Sequence, residues 1–176
     1  RSCAGYRSPR CILTEEATNA LKKVQGELQK FGLGIKIFDA YRPQRAVNHF
    51  VQWAKDLSDT LMKAKYYPEV EKRGLFKKGY IADKSSHSRG STVDLTLVNR
   101  APGEKPQDLD MGTEFDFFGP QSWPTNLLIS AQARAHRMLL QRIMVENGFT
   151  PYFAEWWHFT LKNEPFPDQY FDFPIQ

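Results

Sequence analysis

Two short stretches of the sequence combine side chains that could bind a metal ion and move a proton. The first, SSHSRGSTVDLTL, carries His87 and Asp94, and the second, AEWWHFTL, carries Glu155 and His158. Two imidazoles and one carboxylate are a suitable set of protein ligands for a catalytic zinc ion that keeps its fourth position open. Glu155 would then be left as a general base beside a water molecule activated by the metal.

The residues around Asp94 predict a β-strand. Polar and apolar residues alternate over residues 92–97, which is typical of a half-buried strand with Asp94 on the polar face beside two threonines. A carboxylate close to a core is costly unless a cation or several hydrogen-bond donors meet it. We therefore expect Asp94 to have a positively charged partner, and a metal ion would meet that need.

The EWWHF segment also predicts a strand, and this sets a condition on its two polar residues. Glu155 and His158 are three residues apart, so an ideal strand would point them to opposite faces. Both can reach one site only if Glu155 lies at the end of the strand or at a β-bulge. The two tryptophans between them are most simply core or pocket-wall residues.

Each histidine also has an ordinary explanation, because a single histidine is more often a surface or hydrogen-bonded core residue than a metal ligand. His49 and His136 fit that explanation, since both lie in predicted amphipathic helices without a second ligand in view. His87 and His158 depart from it because each has an acidic residue close by in sequence. The sequence therefore favours those two as ligands.

Arg42 lies in the segment DAYRP, between a predicted strand and a predicted helix, where it could be held over a cleft. Two interpretations stay open for this residue. It could form a surface salt bridge, for example with Asp39. Alternatively, the fixed fork of donors that only arginine offers could stabilise an oxyanion or clamp a carboxylate.

Composition limits the class of protein. A chain of 176 residues with 41% hydrophobic and 14% aromatic residues is large enough for one domain with a real core. The net charge of +4 is scattered, without the basic stripe and interleaved aromatics of a nucleic-acid-binding surface. No apolar run approaches the ~18 residues of a membrane span, and no signal-peptide pattern is present. We therefore expect neither a nucleic-acid partner nor a membrane span.

The two cysteines bear on the compartment. Cys3 and Cys11 are close enough in sequence to close a small disulfide loop, although two free thiols are the alternative. A disulfide would favour an oxidising compartment, and the chain begins at Arg1 without methionine, as a processed protein can. We expect a periplasmic or otherwise exported protein, with the cytoplasm as the alternative.

Hydrophobic spacing predicts three helices and three strands. The helices begin after Thr14, at Pro43 and near Ser130, and the strands cover residues 34–38, 92–97 and 155–161. The helices are predicted to face the core with three sets of residues: Ala17, Leu21, Val24, Leu28 and Phe31; Ala46, Val47, Phe50, Val51, Ala54 and Leu57; Ala135, Met138, Leu139 and Ile143. Residues 99–126 are too long for an ordinary connection and predict a functional loop.

The motifs SSHSRGSTVDLTL, EWWHF and DAYRPQRAVNHF, with the ending YFDFP, resemble the D-alanyl-D-alanine dipeptidases of the VanX type. These belong to a group of zinc peptidases that includes D,D-carboxypeptidases and shares its fold with the Hedgehog signalling domain. The resemblance extends from about Gly5 to Gln176, and its two metal motifs have the forms SxHxxGxxxD and ExxH. The double tryptophan and the YFDFP ending favour the dipeptidase branch.

The resemblance implies one zinc ion bound by His87, Asp94 and His158, with Glu155 as catalytic base and Arg42 stabilising the tetrahedral intermediate. It also implies substrate-binding roles for Ser85 and Asp116. Members of the family carry a further tyrosine near the substrate, before the point that matches Arg1, so the resemblance leaves one pocket wall unaccounted for.

The prediction is therefore a single α+β domain over residues 1–176, with helices packed on a mainly antiparallel sheet. Residues 1–13 form an extended N-terminal segment, and the 99–126 loop covers the site. The proposed substrate is a small D,D-dipeptide. The alternatives are a peptidase for longer peptidoglycan stem peptides and a non-catalytic zinc-stabilised binding module. Glycopeptide resistance or dipeptide recycling would be the biological role, and the sequence leaves the oligomeric state open.

Overall fold

The computed structural model describes residues 4–100, 103 and 105–176, which form a single α+β domain. Helices and strands follow one another along the chain without a break between separate units. Their bounds are α1 (Glu15–Gln29), β1 (Leu33–Asp39), α2 (Gln44–Lys55), α3 (Lys63–Tyr66), β2 (Thr92–Asn99), β3 (Gln107–Asp108), α4 (Ala131–Glu146), β4 (Phe149–Tyr152) and β5 (Glu155–Leu161).

The sheet has the order β1-β2-β5-β4, with the short β3 paired to the end of β2, and all of these pairings are antiparallel. This confirms the predicted fold class. The apolar side chains of β2 and β5 pack with α1 and α4 into the main core. Burial of that core drives folding, because apolar surface removed from water stabilises the folded chain by about 25 cal/mol per Å².

Helix α1 follows its prediction closely except at its end. Thr14 caps it by accepting a hydrogen bond from the backbone N–H of Ala17 at 3.4 Å. The expected face is buried, but the helix ends at Gln29, and Phe31 is 78% exposed. The prediction for Phe31 was wrong because the residue lies beyond the last turn and no longer follows the helical period.

Helix α2 buries a narrower stripe than its sequence predicts. Ala46, Val47, Val51 and Ala54 are buried, whereas Phe50 and Leu57 are 39% and 50% exposed. Leu57 lies past the end of the helix. Phe50 instead offers its ring to the guanidinium of Arg42, whose carbon lies 5.4 Å from the ring centroid.

The inward face of α4 differs from the prediction. Ala135, Met138 and Leu139 lie on the exposed side, and of the four residues expected inside only Ile143 is buried. The buried set is Ala133, Arg137, Leu140, Ile143 and Met144. The face was wrongly predicted because Arg137 points inward, and a pattern based on hydrophobicity assigns an arginine to the solvent side.

Strand β2 was predicted to be half-buried, and this was wrong, because both faces from Thr92 to Val98 are buried. The strand is central in the sheet. Its apolar residues lie in the core, and the face that carries Asp94 is covered by the turn that holds His87. The 99–126 loop contains β3 and a 3-10 turn at Pro120–Ser122.

A disulfide between Cys3 and Cys11 stays a prediction, since Cys3 lies outside the described residues. The extended segment over residues 1–13 is described from residue 4 onward, and its one β-bridge pairs Tyr6 with Ile175. Within the described part of the chain, none of the helices has both the length and the apolar character needed to cross a membrane.

Candidate metal centre and active site

The sheet brings the predicted ligands together through its strand register. Asp94 of β2 lies opposite His158 of β5 on one side and opposite Asp39 of β1 on the other. His87 comes from a 3-10 turn at Ser86–Arg89 that directly precedes β2. Because paired strand residues have neighbouring side chains, the register alone places Asp94 and His158 within reach of each other.

The three ligand atoms are close together and mostly withdrawn from water. Nε2 of His87 lies 3.2 Å from Oδ2 of Asp94, and Nδ1 of His158 lies 3.1 Å from Oδ1 of Asp94. One donor atom from each residue falls within 4.8 Å of the others. Burial alone would raise the pKa of Asp94, but the two imidazoles outweigh it and hold that pKa below its usual range.

Neighbouring groups orient both imidazoles. Nδ1 of His87 donates a hydrogen bond to the backbone carbonyl of Ala40 at 2.6 Å, which leaves Nε2 facing Asp94. Nε2 of His158 lies 3.3 Å from Oγ of Ser86, which leaves Nδ1 facing the same carboxylate. Metal-binding histidines are commonly fixed in this way through their second ring nitrogen.

The chemistry of these donors fits zinc. Nε2 of His87 and Oδ1 of Asp94 are buried without a hydrogen-bond partner. Such orphaned atoms are rare in folded proteins, and a cation between them would satisfy both. Two imidazoles and a carboxylate match the three-ligand sets of catalytic zinc sites.

Glu155 meets the condition set by its spacing from His158. It is the first residue of β5, and the β4–β5 register shifts between Pro151 and Tyr152, opposite it. Its Oε2 atom therefore reaches to 3.6 Å from Nδ1 of His158. Burial, followed by the charges of Asp94 and Asp116, raises the pKa of Glu155 well above its ordinary value.

Arg42 lies beside the ligands and is also ion-paired, so its two interpretations are compatible. Its Nε and a terminal nitrogen lie 2.9 and 2.8 Å from Oδ2 of Asp39, and a terminal nitrogen lies 3.7 Å from Oδ2 of Asp94. Although burial opposes the charged form, Asp39 and Asp94 raise the pKa of the guanidinium above its usual value. A permanently charged fork of donors is thus held next to the ligand carboxylate.

Comparison with known proteins identifies the family. The chain matches, over residues 1–176, a peptidase family described as D-ala-D-ala dipeptidase. The chain belongs to the D-alanyl-D-alanine dipeptidase family. D-alanyl-D-alanine dipeptidases of Enterococcus faecium and Streptomyces coelicolor are each 42% identical to it. Those alignments span 98% and 97% of this chain, and 84% and 83% of the two relatives.

Among solved structures, a vancomycin-resistance D,D-pentapeptidase, VanY, in complex with Zn(II) aligns with a TM-score of 0.49 at 14% identity. That alignment covers 86% of this chain and 73% of the other. The dipeptidase relatives are bacterial and confirm the predicted family, so the protein is a metallopeptidase.

Asp116, which the family resemblance implies, lies close enough to the proposed ligands for their charges to shift its pKa. Burial and then the charge of Asp94 raise its pKa to about 7. Its backbone has φ of 62°, the only positive φ at a non-glycine residue in the described part of the chain. Ser85, the other residue implied by the resemblance, caps the turn that carries His87 by accepting a hydrogen bond from its backbone N–H at 3.3 Å.

Tyr6 was missed by sequence reasoning. Its hydroxyl donates a hydrogen bond to Oδ1 of Asp39 at 2.8 Å, on the carboxylate that also pairs with Arg42. Its place in the N-terminal segment gave no local signal, because contacts with distant residues, such as the bridge to Ile175, determine where that segment lies. His136 contacts the backbone carbonyl of Asp110 instead of the site, as its ordinary explanation predicts.

Proposed function

We propose that the protein hydrolyses D-alanyl-D-alanine to D-alanine, with His87, Asp94 and His158 holding one zinc ion. The observation that carries this proposal is that Glu155 and Arg42 both lie against the three clustered ligands. The similarity to proteins named D-alanyl-D-alanine dipeptidase supports the choice of substrate. When bound, zinc would supply Lewis acidity to the scissile carbonyl and to the attacking water.

Glu155 is the group that moves the proton. Its carboxylate accepts a proton from the attacking water and then donates it to the nitrogen of the leaving D-alanine, as the C–N bond breaks. A raised pKa suits this double role, because the group must hold the proton between the two transfers. The cycle ends with Glu155 ionised again.

Arg42 stabilises the negative charge that develops on the former carbonyl oxygen. Asp39 fixes the guanidinium from one side through two contacts, so the side chain loses little conformational entropy when the substrate binds. Prearranged donors of this kind act most strongly where charge appears only in the transition state.

Asp116 and Ser85 are the proposed substrate-binding residues. The half-buried carboxyl of Asp116, whose pKa burial and the charge of Asp94 raise to about 7 against the opposing charge of Arg42, would gain a direct cationic partner from the free ammonium of the dipeptide. An acylated nitrogen carries no charge and would leave Asp116 unpaired, at a cost of about 3–5 kcal/mol. The hydroxyl of Ser85 already accepts a bond from His87, so its proton is available for a substrate oxygen.

The deciding experiment compares three substrates: D-alanyl-D-alanine, its N-acetylated form and a pentapeptide that ends in the same two residues. We expect release of D-alanine from the free dipeptide at least a hundredfold faster than from the others. Similar rates on the pentapeptide would indicate the carboxypeptidase alternative. Absence of turnover with all three by the zinc-loaded protein would indicate a binding module.

The compartment is a separate proposal, supported only by sequence. We propose an exported protein in which Cys3 and Cys11 are bridged. Intact mass before and after reduction and alkylation of protein isolated without reductant tests it. Two thiols that are alkylated without prior reduction would favour the cytoplasm.

A further inference from the structure

Arg137 is a buried cation of α4 whose hydrogen bonds are made to residues of the 99–126 loop. It is 2% exposed, and its Nε donates to the carbonyl of Met111 at 2.6 Å, while one terminal nitrogen donates to the carbonyl of Trp123 at 3.0 Å. Its other terminal nitrogen reaches Oγ1 of Thr113 at 3.5 Å. Burial lowers its pKa to about 10, because removing the charged guanidinium from water is energetically unfavourable.

Thr113 connects this arginine to β5 and to the rest of the loop. Its hydroxyl accepts a hydrogen bond from Nε1 of Trp156 at 2.9 Å, next to Glu155 in the chain. The same hydroxyl lies 2.9 Å from Oγ of Ser122. Ser122, fully buried, donates its own proton to the carbonyl of Phe117 at 2.6 Å, and therefore Thr113 must be the donor between the two hydroxyls.

The hydrogen bonds thus run in one direction, from Arg137 and Trp156 through Thr113 and Ser122, and end at Phe117. Phe117 directly follows Asp116, whose positive φ is a conformation that a non-glycine residue keeps only when its surroundings hold it. On the other side of Asp116, the ring of Phe115 stacks on Phe38 with centroids 4.5 Å apart. Asp116 is therefore fixed from both neighbours.

We propose that Arg137, Thr113 and Ser122 form a positioning network that holds Asp116 at a set place relative to Glu155, and so determines selectivity for a free N-terminal ammonium. This inference rests on the proposed function, since it concerns how Asp116 is placed for the ammonium. None of the three residues needs to touch the substrate. Their effect is transmitted through the loop backbone to the carboxylate.

The test measures kcat and KM for the free and the N-acetylated dipeptide, with zinc content determined in parallel. Ser122→Ala and Thr113→Val should raise KM for the free dipeptide and lower the preference for it by about tenfold, with one zinc per chain retained. Thr113→Ser keeps the hydroxyl and should retain the preference. A loss of folded protein would instead lower activity on both substrates equally.

A double substitution separates positioning from a purely structural role. In an Asp116→Asn background, Ser122→Ala should cause no further change in preference, because the group it positions is already gone. Arg137→Met should act like Ser122→Ala, and Arg142→Met on the same helix is the control, since Arg142 is exposed and pairs with Glu146. If Arg137→Met fails to fold, the Thr113 and Ser122 variants decide.

The two proposals can fail separately. Equal hydrolysis of free and acetylated dipeptides by the wild type would overturn the role of Asp116 itself. A wild type that discriminates and an Asp116→Asn variant that does not, together with unchanged preference in Ser122→Ala and Thr113→Val, would overturn only the positioning network.

Discussion

Asp94, which is buried, and Asp116, which is half-buried, are the two carboxylates of the proposed site other than Glu155, and the molecule holds them in different ways. Asp94 lies on the central strand, where register places His158 opposite it and a short turn adds His87. Asp116 lies in a long loop at a positive φ, between neighbours fixed by side-chain contacts. In the proposed site, the sheet would supply a rigid base for the metal, and the loop would supply a wall whose shape depends on a few hydrogen bonds.

The electrostatic surroundings of the two carboxylates differ as well. Two imidazoles lower the pKa of Asp94, whereas burial and the charge of Asp94 raise that of Asp116. The first carboxylate already has partners that favour its charged form. Around Asp116, Arg42 and His87 only partly offset that rise, so an ammonium entering beside it would further favour the charged form, as expected of a group that recognises an ammonium.

The largest expected effect comes from replacing one of the proposed metal ligands carried by the sheet. His158→Ala should remove the zinc ion and reduce turnover to background, because two protein ligands bind the metal far more weakly than three. Zinc measured per chain in the purified protein checks this. His49→Ala is the control and should keep its metal, and a wild type that is fully active without metal would refute the assignment.

Glu155→Gln should separate catalysis from metal binding. The amide keeps the shape of the side chain but cannot act as a base, so kcat should fall by about 10²–10⁴ while zinc content and folding persist. Metal analysis alongside steady-state kinetics gives the answer. Loss of zinc from this variant would mean that Glu155 is itself a ligand.

Arg42→Lys tests whether a fixed fork of donors is needed beside Asp94. Lysine keeps the charge but not the paired geometry, so we expect kcat to fall by about 10²–10³ with zinc retained. A variant with normal kcat would show that Arg42 is only the partner of Asp39 in a salt bridge.

Asp116→Asn should leave the proposed metal ligands on the sheet intact and affect only recognition of the substrate by the loop. Zinc should remain bound, and kcat/KM should fall by about a hundredfold for the free dipeptide but far less for the acetylated one. Asp94→Asn is the matched comparison and should lose the metal. Equal losses on both substrates in Asp116→Asn would contradict its role with the ammonium.

Tyr6→Phe has the smallest expected effect. It removes one hydrogen bond to Asp39 while the two contacts from Arg42 remain, so the free energy of unfolding should drop by about 1 kcal/mol. We expect kcat to change less than tenfold. Denaturant unfolding and kinetics of the same preparation measure both, and a loss as large as that of Arg42→Lys would mean that Tyr6 acts directly on the substrate.

The sequence by itself determined the parts of this protein that depend on local pattern. Alternation around Asp94 marked a strand, Thr14 marked a helix start, and the spacing of Glu155 and His158 showed that a strand end or bulge was needed. Residue type alone then indicated zinc chemistry, because ligand preference is a property of the side chain. These inferences need no knowledge of distant contacts.

Only the tertiary structure decided the inward face of α4, the contact of Tyr6 with Asp39 and the placement of Asp116. Arg137 faces inward because the carbonyls of Met111 and Trp123 meet it there, more than a dozen positions away in sequence. Tyr6 and Asp116 likewise depend on partners that folding brings near. Hydrogen bonds between remote backbone and side-chain atoms leave no periodic signal in the sequence. The conformation of the 99–126 loop around Asp116 therefore could not be predicted from sequence, whereas the strand that carries Asp94 could.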